Sequence, residues 1–315
     1  MRKHRSHVLG AILVALALLA AACGSGEDAK DGPTITVGSA NFSENALVAE
    51  IYAQVLESDG YPVERNLNIG NREVYTAALE SGDLDLLPEY VGTALINQGG
   101  EPTDDSEATA QALRDAFAPK GIAVLDPAPA QDKNGVVVRQ DTADSLGLSK
   151  TSDLAAHSNL VLGGPPECPE RPLCLVGLTD VYGITFADFK PLDVGGALTV
   201  AALEGDEIQV AILFTSDGVI AAKGFVLLED DKGLQPADNL TPVIRQDIVD
   251  AYGDDIVDAL NDVSEKLTTA GLSEMNRLIG IDGEDPEQVA ADWIDAVSYT
   301  HLRAHETYIT ISYAV

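Results

Sequence analysis

Apolar and polar positions alternate along this chain in two different periods, which predicts strands and helices in turn. Short apolar runs such as Ile35–Gly38 predict strands. Leu47, Ile51 and Val55 recur at helical spacing and predict a helix over 44–58. The same patterns predict further strands at 63–68, 122–125, 135–139, 160–162, 225–228 and 242–245, and helices at 91–97, 108–118, 151–156, 175–181, 216–222, 247–252, 254–271 and 286–296. Such alternation is typical of an α/β fold.

Two segments of the chain share one longer pattern. Residues 70–90 and 195–214 each predict a glycine turn, a short helix, a tight turn and a strand that ends in an aromatic residue. Tyr90 and Phe214 each follow a helix leucine by eleven positions. We expect two similar lobes whose aromatic residues face each other across a cleft, because open α/β sheets bind ligands beyond the carboxyl ends of their strands. A chance match is the alternative, since helix–turn–strand units are common.

Two loop segments predict where the chain passes between these lobes. Residues 126–134 are rich in proline and alanine, and a second polar, proline-containing segment occupies 235–242. The domain prediction is therefore a first lobe over 34–133, a second lobe over 134–240, and a return to the first lobe over 241–297. Two crossings imply a hinge between the lobes.

The N-terminus is typical of a targeting segment. Residues 1–22 combine a basic start with an apolar run that is short for a membrane-spanning helix. The run ends in Ala-Ala-Ala-Cys and resembles a bacterial lipoprotein signal, which implies cleavage before Cys23 and lipidation of that cysteine. Ala20 stands where this signal prefers leucine, and an ordinary secreted protein is the alternative. Residues 23–33 then form a flexible tether, which places the protein on the extracytoplasmic face of the cell membrane.

The last segment, 298–315, does not fit the rest of the chain. It carries two of the five histidines and three of the nine tyrosines and has no helical period. It resembles a translated sequencing adapter, and a genuine divergent tail is the alternative. We therefore draw no function from its residues.

Charge and cysteine usage narrow the class of protein. The formal net charge of −32 argues against nucleic acid or an anionic lipid surface as a partner, since both require basic patches. Cys168 and Cys174 form an even pair outside the cytoplasm, which favours a disulfide over two free thiols. A zinc site lacks ligands, because His157 is the only histidine between Cys23 and the tail.

Signals for catalysis are weak. The sequence has no dinucleotide-binding glycine motif, no phosphate-binding loop and no Gly-x-Ser-x-Gly motif. Acidic pairs such as Asp83 and Asp85 are typical of a solvated surface in a chain this acidic. We therefore predict binding without catalysis, with no cofactor and no metal.

Several motifs carry a family resemblance. The chain resembles the substrate-binding proteins of ABC importers for glycine betaine, choline and other quaternary amines over 34–297, on the strength of segments 35–44, 88–93, 181–183, 189–192 and 214–217. The resemblance implies a type II periplasmic-binding-protein fold that closes on a small amine or betaine ligand. It also implies docking on a permease driven by an ATPase. A ligand-sensing surface lipoprotein with the same fold but no transport is the alternative.

The resemblance also implies a ligand site. Family members hold a trimethylammonium group among aromatic rings, and Tyr90 and Phe214 match two of these. Thr93 and Arg171 match groups that hold the ligand carboxylate, and Asp132 matches an acidic residue beside the rings.

Three positions depart from the family pattern. Asn134 and Asp238 stand where betaine binders usually carry tyrosines, and Ala40 stands where many carry a lysine. These substitutions predict a ligand that still carries a cationic nitrogen, but with N–H donors or a weaker need for rings, and with Asn134 and Asp238 as acceptors. The alternative for both residues is a solvated turn position.

Overall fold

The computed structural model describes residues 29–297. The predicted signal peptide, Cys23, the tether up to residue 28 and the atypical tail 298–315 lie outside the described residues.

The described chain alternates strands and helices as predicted. The strands are β1 (Ile35–Gly38), β2 (Val63–Asn66), β3 (Leu86–Tyr90), β4 (Ile122–Val124), β5 (Asn134–Arg139), β6 (Val161–Gly164), β7 (Asp188–Pro191), β8 (Val210–Phe214), β9 (Phe225–Leu227) and β10 (Leu240–Arg245). The helices are α1 (Ser43–Ser58), α2 (Arg72–Ser81), α3 (Val91–Asn97), α4 (Ser106–Phe117), α5 (Gln140–Leu146), α6 (Leu175–Asp180), α7 (Ala197–Glu204), α8 (Gly218–Ala222), α9 (Gln246–Tyr252), α10 (Asp254–Lys266), α11 (Thr269–Arg277) and α12 (286–297). Thr151–Ala156 is a 3₁₀ helix rather than an α-helix.

Two five-stranded sheets of the same design organise the molecule. One sheet has the order β2-β1-β3-β10-β4, and the other has the order β7-β6-β8-β5-β9. In each, the first three strands are parallel and the last two pairings are antiparallel. We call the first sheet with its helices lobe 1 (29–130 and 240–297) and the second lobe 2 (134–235). The segments 131–133 and 236–239 are the two crossings.

The strand register extends the repeat that the sequence indicated. β3 pairs with β10 so that Tyr90 lies opposite Leu240, and β8 pairs with β5 so that Phe214 lies opposite Asn134. The spacing shared by 70–90 and 195–214 therefore reflects two lobes of like topology, and the chance alternative is wrong.

Helices cover both faces of each sheet, so each lobe has two layers of core. In lobe 1, Leu47 packs on one face and Leu79 on the other. In lobe 2, Leu178 packs on one face and Leu203 on the other. Loops at the carboxyl ends of β3 and β8 are left free to form a site.

The two crossings run side by side. The backbone N–H of Asp132 donates to the carbonyl of Asp238 at 3.1 Å, and Gln131 bridges to Asn239. Two paired strands of chain between the lobes are suited to act as a hinge. The return begins one residue before the predicted boundary, because Leu240 already belongs to β10.

The predicted helix 254–271 is wrong, because the structure breaks it in two. Leu267 is extended and fully buried, and the Thr268 hydroxyl accepts from the N–H of Gly271 at 3.1 Å. This N-cap starts a new helix, α11. α11 then packs against α8 of lobe 2 so closely that a Cβ on Gly218 would lie 2.6 Å from the carbonyl oxygen of Ser273.

Smaller differences concern the ends and edges of the sheets. β2 ends at Asn66 rather than at residue 68, and the edge strand β7 and helix α5 were not predicted. β7 is short and only its two end residues are exposed, so it carries little apolar pattern. Within 29–297, no helix is both long and apolar enough to span a bilayer.

Candidate functional site

A cleft of about 160 Å³ opens between the lobes, at the carboxyl ends of β3 and β8. All seven residues that the sequence nominated for ligand binding line it: Tyr90, Thr93, Asp132, Asn134, Arg171, Phe214 and Asp238. Ala40, the position that departs from the family lysine, lines it as well. The fold therefore brings the nominated residues together, while their contacts with a ligand stay predictions.

Three aromatic rings lie together in this cleft. The ring centre of Phe42 is 6.1 Å from that of Tyr90 and 5.2 Å from that of Phe214. Phe42 thus contacts both nominated rings and joins one lobe to the other. The sequence analysis missed its role, although Phe42 directly precedes α1 in a chain that has few aromatic residues.

A buried glutamate connects these rings to lobe 2. Glu44 is 3% exposed, and its Oε1 accepts from the Tyr90 hydroxyl at 2.6 Å. Its Oε2 accepts from the Ser216 hydroxyl and from Nδ2 of Asn276. Burial raises the pKa of Glu44, although these donors oppose the shift. Two of these three hydrogen bonds lie within lobe 1, and the one from Ser216 joins lobe 2 to the Glu44 carboxylate.

Asp132 and Asp238 occupy equivalent places in the two crossings. Oδ1 of Asp238 accepts from the backbone N–H groups of Gly92 and Thr93 at 2.8 and 3.0 Å, and Oδ1 of Asp132 accepts from the N–H of Ser216 at 3.1 Å. Each aspartate thus anchors the backbone just after one aromatic strand. Both are at most 5% exposed, so the alternative of a solvated turn residue is wrong for Asp238.

The carboxyl groups around the rings hold protons more tightly than usual. Burial raises the pKa of Asp238 to about 6 in spite of its backbone donors. Burial and the nearby Glu44 raise the pKa of Asp217 to about 7 and that of Asp132 well above its usual range. A cation placed in the cleft would stabilise the ionised form of these groups, so this side of the cleft is suited to positive charge.

Positive charge in the cleft is already paired. Arg72 donates from Nε and Nη2 to the two carboxylate oxygens of Glu89, each at 3.0 Å, and Nη2 also donates to the Thr93 hydroxyl at 2.9 Å. Glu89 is 2% exposed. The sequence analysis missed this buried pair, which lies on α2 and β3 of the repeated unit.

Lobe 2 contributes Arg171 from a loop closed by the Cys168–Cys174 disulfide, whose Cα atoms are 5.2 Å apart. Nη2 of Arg171 contacts Oε1 and Oε2 of Glu73 at 2.7 and 2.8 Å, across the mouth of the cleft. The side-chain amide of Asn134 donates to the carbonyl of Leu173 at 3.0 Å in the same loop. The loop therefore contacts lobe 1 through one ion pair and is fixed within lobe 2 by a disulfide and a hydrogen bond.

Comparison with known proteins identifies the family of this chain. Residues 33–296 match the OpuAC family, described as the substrate binding domain of an ABC-type glycine betaine transport system. The glycine betaine-binding protein YehZ of Escherichia coli strain K12 is 29% identical over 279 residues, covering 84% of this chain and 91% of that protein. The glycine-betaine-binding protein of Pseudomonas aeruginosa PAO1 is 27% identical over 275 residues, covering 83% and 87%.

A solved structure shows the same two-lobed fold. The crystal structure of a glycine betaine/carnitine/choline ABC transporter protein superposes with a TM-score of 0.69 at 23% identity, covering 85% of this chain and 99% of that one. Because 85% of this chain is covered, the similarity of fold includes both lobes.

Proposed function

The chain belongs to the OpuAC family, the substrate-binding domains of ABC-type glycine betaine transport systems, and we propose from this premise that it captures a small quaternary-ammonium solute for an ABC importer. The observation that carries the proposal is the group of three rings, Phe42, Tyr90 and Phe214, beside the buried carboxyl groups of Asp132 and Asp238. The ligand class is that of glycine betaine and choline.

The chemistry of a trimethylammonium group explains why rings suit it. Its nitrogen has no N–H to donate, so it binds through its charge and its methyl groups. Each aromatic face attracts such a cation by about 0.5–2 kcal/mol. Cavities of about 150 Å³ hold a benzene-sized molecule, and the cleft of about 160 Å³ is therefore of the right size for one small solute.

Capture is coupled to closure of the two lobes. Contacts between the lobes include the Phe42–Phe214 rings, the Glu44–Ser216 hydrogen bond and the Arg171–Glu73 ion pair. A ligand that touches both lobes favours the closed state over the open one. We infer that the closed, loaded form is presented to the permease, whose ATPase drives import.

We also propose that the protein is held at the membrane by a lipid on Cys23. The support is the apolar run that ends at this cysteine and the polar tether that follows it. Replacing Cys23 with serine should move the protein from the membrane fraction to the soluble fraction, and an unchanged membrane fraction would contradict the proposal.

The proposed role is binding alone, and the solute leaves the site chemically unchanged. The family is described by a transport system, and this favours delivery to a permease over a sensing role without transport.

Calorimetry with choline, glycine betaine and carnitine tests the function. We expect at least one of them to bind, and we expect Phe42→Ala and Phe214→Ala each to weaken that ligand about two- to thirtyfold, the range for one cation–π contact. The control is Phe186→Ala, which removes a half-buried ring of lobe 2 outside the cleft. Absence of binding by all three solutes to the folded protein would overturn the proposal.

A further inference from the structure

Both arginines of the cleft are occupied by glutamates of the chain itself. Arg72 forms a buried, bidentate ion pair with Glu89, and the same guanidinium also donates to the Thr93 hydroxyl. Arg171 reaches from lobe 2 to both carboxylate oxygens of Glu73 on α2 of lobe 1. Arg72 and Arg171 are the only basic side chains among the described residues that line the cleft.

The remaining charged residue types in the cleft are acidic. Asp132, Asp238 and Glu167 line it, and Ala40 brings no charge. A ligand carboxylate would therefore have to displace Glu73 from Arg171, share that guanidinium with Glu73 so that two carboxylates rest on one cation, or lie without a cation near buried carboxyl groups. Burying an anion without a partner is costly, so the cleft disfavours a carboxylate at the end of the ligand remote from the rings.

An acceptor without a donor points to the group the cleft favours instead. Oδ1 of Asn71 is buried and has no hydrogen-bond partner within the described part of the chain, and Asn71 lines the cleft beside Arg72. A buried acceptor left unpaired costs free energy that a ligand O–H or N–H would recover. A ligand carboxylate has no hydrogen to donate at neutral pH.

We propose that Glu73 is a specificity-determining residue: by occupying Arg171, it makes the cleft select a quaternary-ammonium ligand with a hydrogen-bond-donating, uncharged end over a zwitterion with a carboxylate. This inference rests on the proposed function, because it distinguishes between two kinds of ligand that would bind at the same site. Glu73 and Arg171 are 51% and 30% exposed, so their ion pair is weak and the effect of removing one charge is modest.

Choline and glycine betaine form a matched pair for the test, since they share the trimethylammonium group and differ at the other end. By calorimetry the wild-type protein should bind choline about tenfold or more tighter than glycine betaine, because only the alcohol can donate to a buried acceptor. Glu73→Gln should improve glycine betaine binding about two- to fivefold relative to choline, the range for one exposed ion pair. The measured quantity is the ratio of the affinities for choline and glycine betaine, because loss of a contact between the lobes would weaken the binding of both ligands alike.

Two further variants make the test specific. Glu80→Gln removes an exposed glutamate from the same helix, where it pairs with Lys120 outside the cleft, and should leave the ratio unchanged. Asn71→Ala should weaken choline about fivefold and leave glycine betaine within twofold.

The outcomes separate this inference from the function. Glycine betaine binding as tightly as choline to the wild type, or a ratio that Glu73→Gln does not change, would overturn the specificity proposal and leave the function intact. Absence of binding by choline, glycine betaine and carnitine alike would instead overturn the function, and binding of carnitine alone, which carries a carboxylate, would overturn only the specificity proposal.

Discussion

Lobe 1 and lobe 2 have the same strand order and place equivalent residues around the cleft. They differ in the charged side chains at those equivalent positions. Asp238 lies beside Arg72, which favours its ionised form. Asp132, its equivalent in the other crossing, forms no ion pair among the described residues, and the charges acting on it are those of Glu44 and Asp238. Position 196, the lobe 2 equivalent of Arg72, is a glycine.

This difference indicates which side of the cleft receives the cation. The carboxyl groups on the side of Arg72 have a cation beside them, whereas Asp132, on the side where Phe42 meets Phe214, has none among the described residues. We infer that the ammonium group lies against Asp132 and the rings, and that the other end of the ligand lies toward Asn71 and Arg72. We therefore infer that the two lobes, although alike in topology, contribute unlike halves of the site, one for charge and one for hydrogen bonding.

The largest effect should follow from breaking the buried ion pair that only lobe 1 has. Arg72→Met leaves Glu89 buried without a counter-charge and should cost about 3–5 kcal/mol of unfolding free energy, measured by urea denaturation. Adding Glu89→Leu should recover most of that loss, because lobe 2 carries Leu213 at the equivalent position. A loss below about 1 kcal/mol for Arg72→Met would contradict this account.

The disulfide is the matching feature that only lobe 2 shows among the described residues. Cys168→Ser with Cys174→Ser should lower the unfolding free energy by about 2 kcal/mol, the entropy estimate for so short a loop. Treating the wild type with a reducing agent should reproduce the change. Equal stability of the double variant and the oxidised wild type would argue against a stabilising role.

Tyr90→Phe makes the ring of lobe 1 identical to that of lobe 2. It removes the hydroxyl that donates to the buried Glu44 and should cost about 1–2 kcal/mol of stability. The ring remains, so ligand affinity should change less than about threefold. The comparison with Phe214→Ala separates ring from hydroxyl, and a large loss of affinity in Tyr90→Phe would mean that the hydroxyl contacts the ligand.

The smallest effect concerns pH. The raised pKa of Asp217, about 7, means that the folded state holds a proton more tightly than the unfolded chain does. The stability from this group is therefore complete below about pH 4 and is lost as the pH rises toward 7. Between about pH 4 and 7, the unfolding free energy of Asp217→Asn should fall by about 1 kcal/mol less than that of the wild type, as measured by thermal unfolding. This value is reduced because the side chain is partly exposed. Exposed Asp180→Asn is the control, and an unchanged decline in Asp217→Asn would contradict the assignment.

The fold was predictable because its signals are local. The apolar spacing in 70–90 and 195–214 defined helices, strands and their repetition. The break at Thr268 was missed because apolar residues continue at helical spacing through it, although a threonine before a helix is a readable cap.

The residues that line the cleft could be nominated from the sequence only where they match the family pattern. Glu44, Ser216 and Asn276 are hydrogen-bonded although they lie as many as 232 positions apart in the sequence, and no local sequence pattern indicates such a contact. The pairing of Arg171 with Glu73 spans 98 positions and was missed for the same reason.

The central claim is that the cleft recognises positive charge, and one pair of ligands tests it most directly. Choline and its uncharged analogue 3,3-dimethylbutan-1-ol have nearly the same shape and the same hydroxyl, and they differ only in the charged nitrogen. By calorimetry we predict that choline binds about thirtyfold or more tighter, which corresponds to about 2 kcal/mol from the rings. Affinities within about threefold of each other would show that shape alone is recognised and would contradict the account.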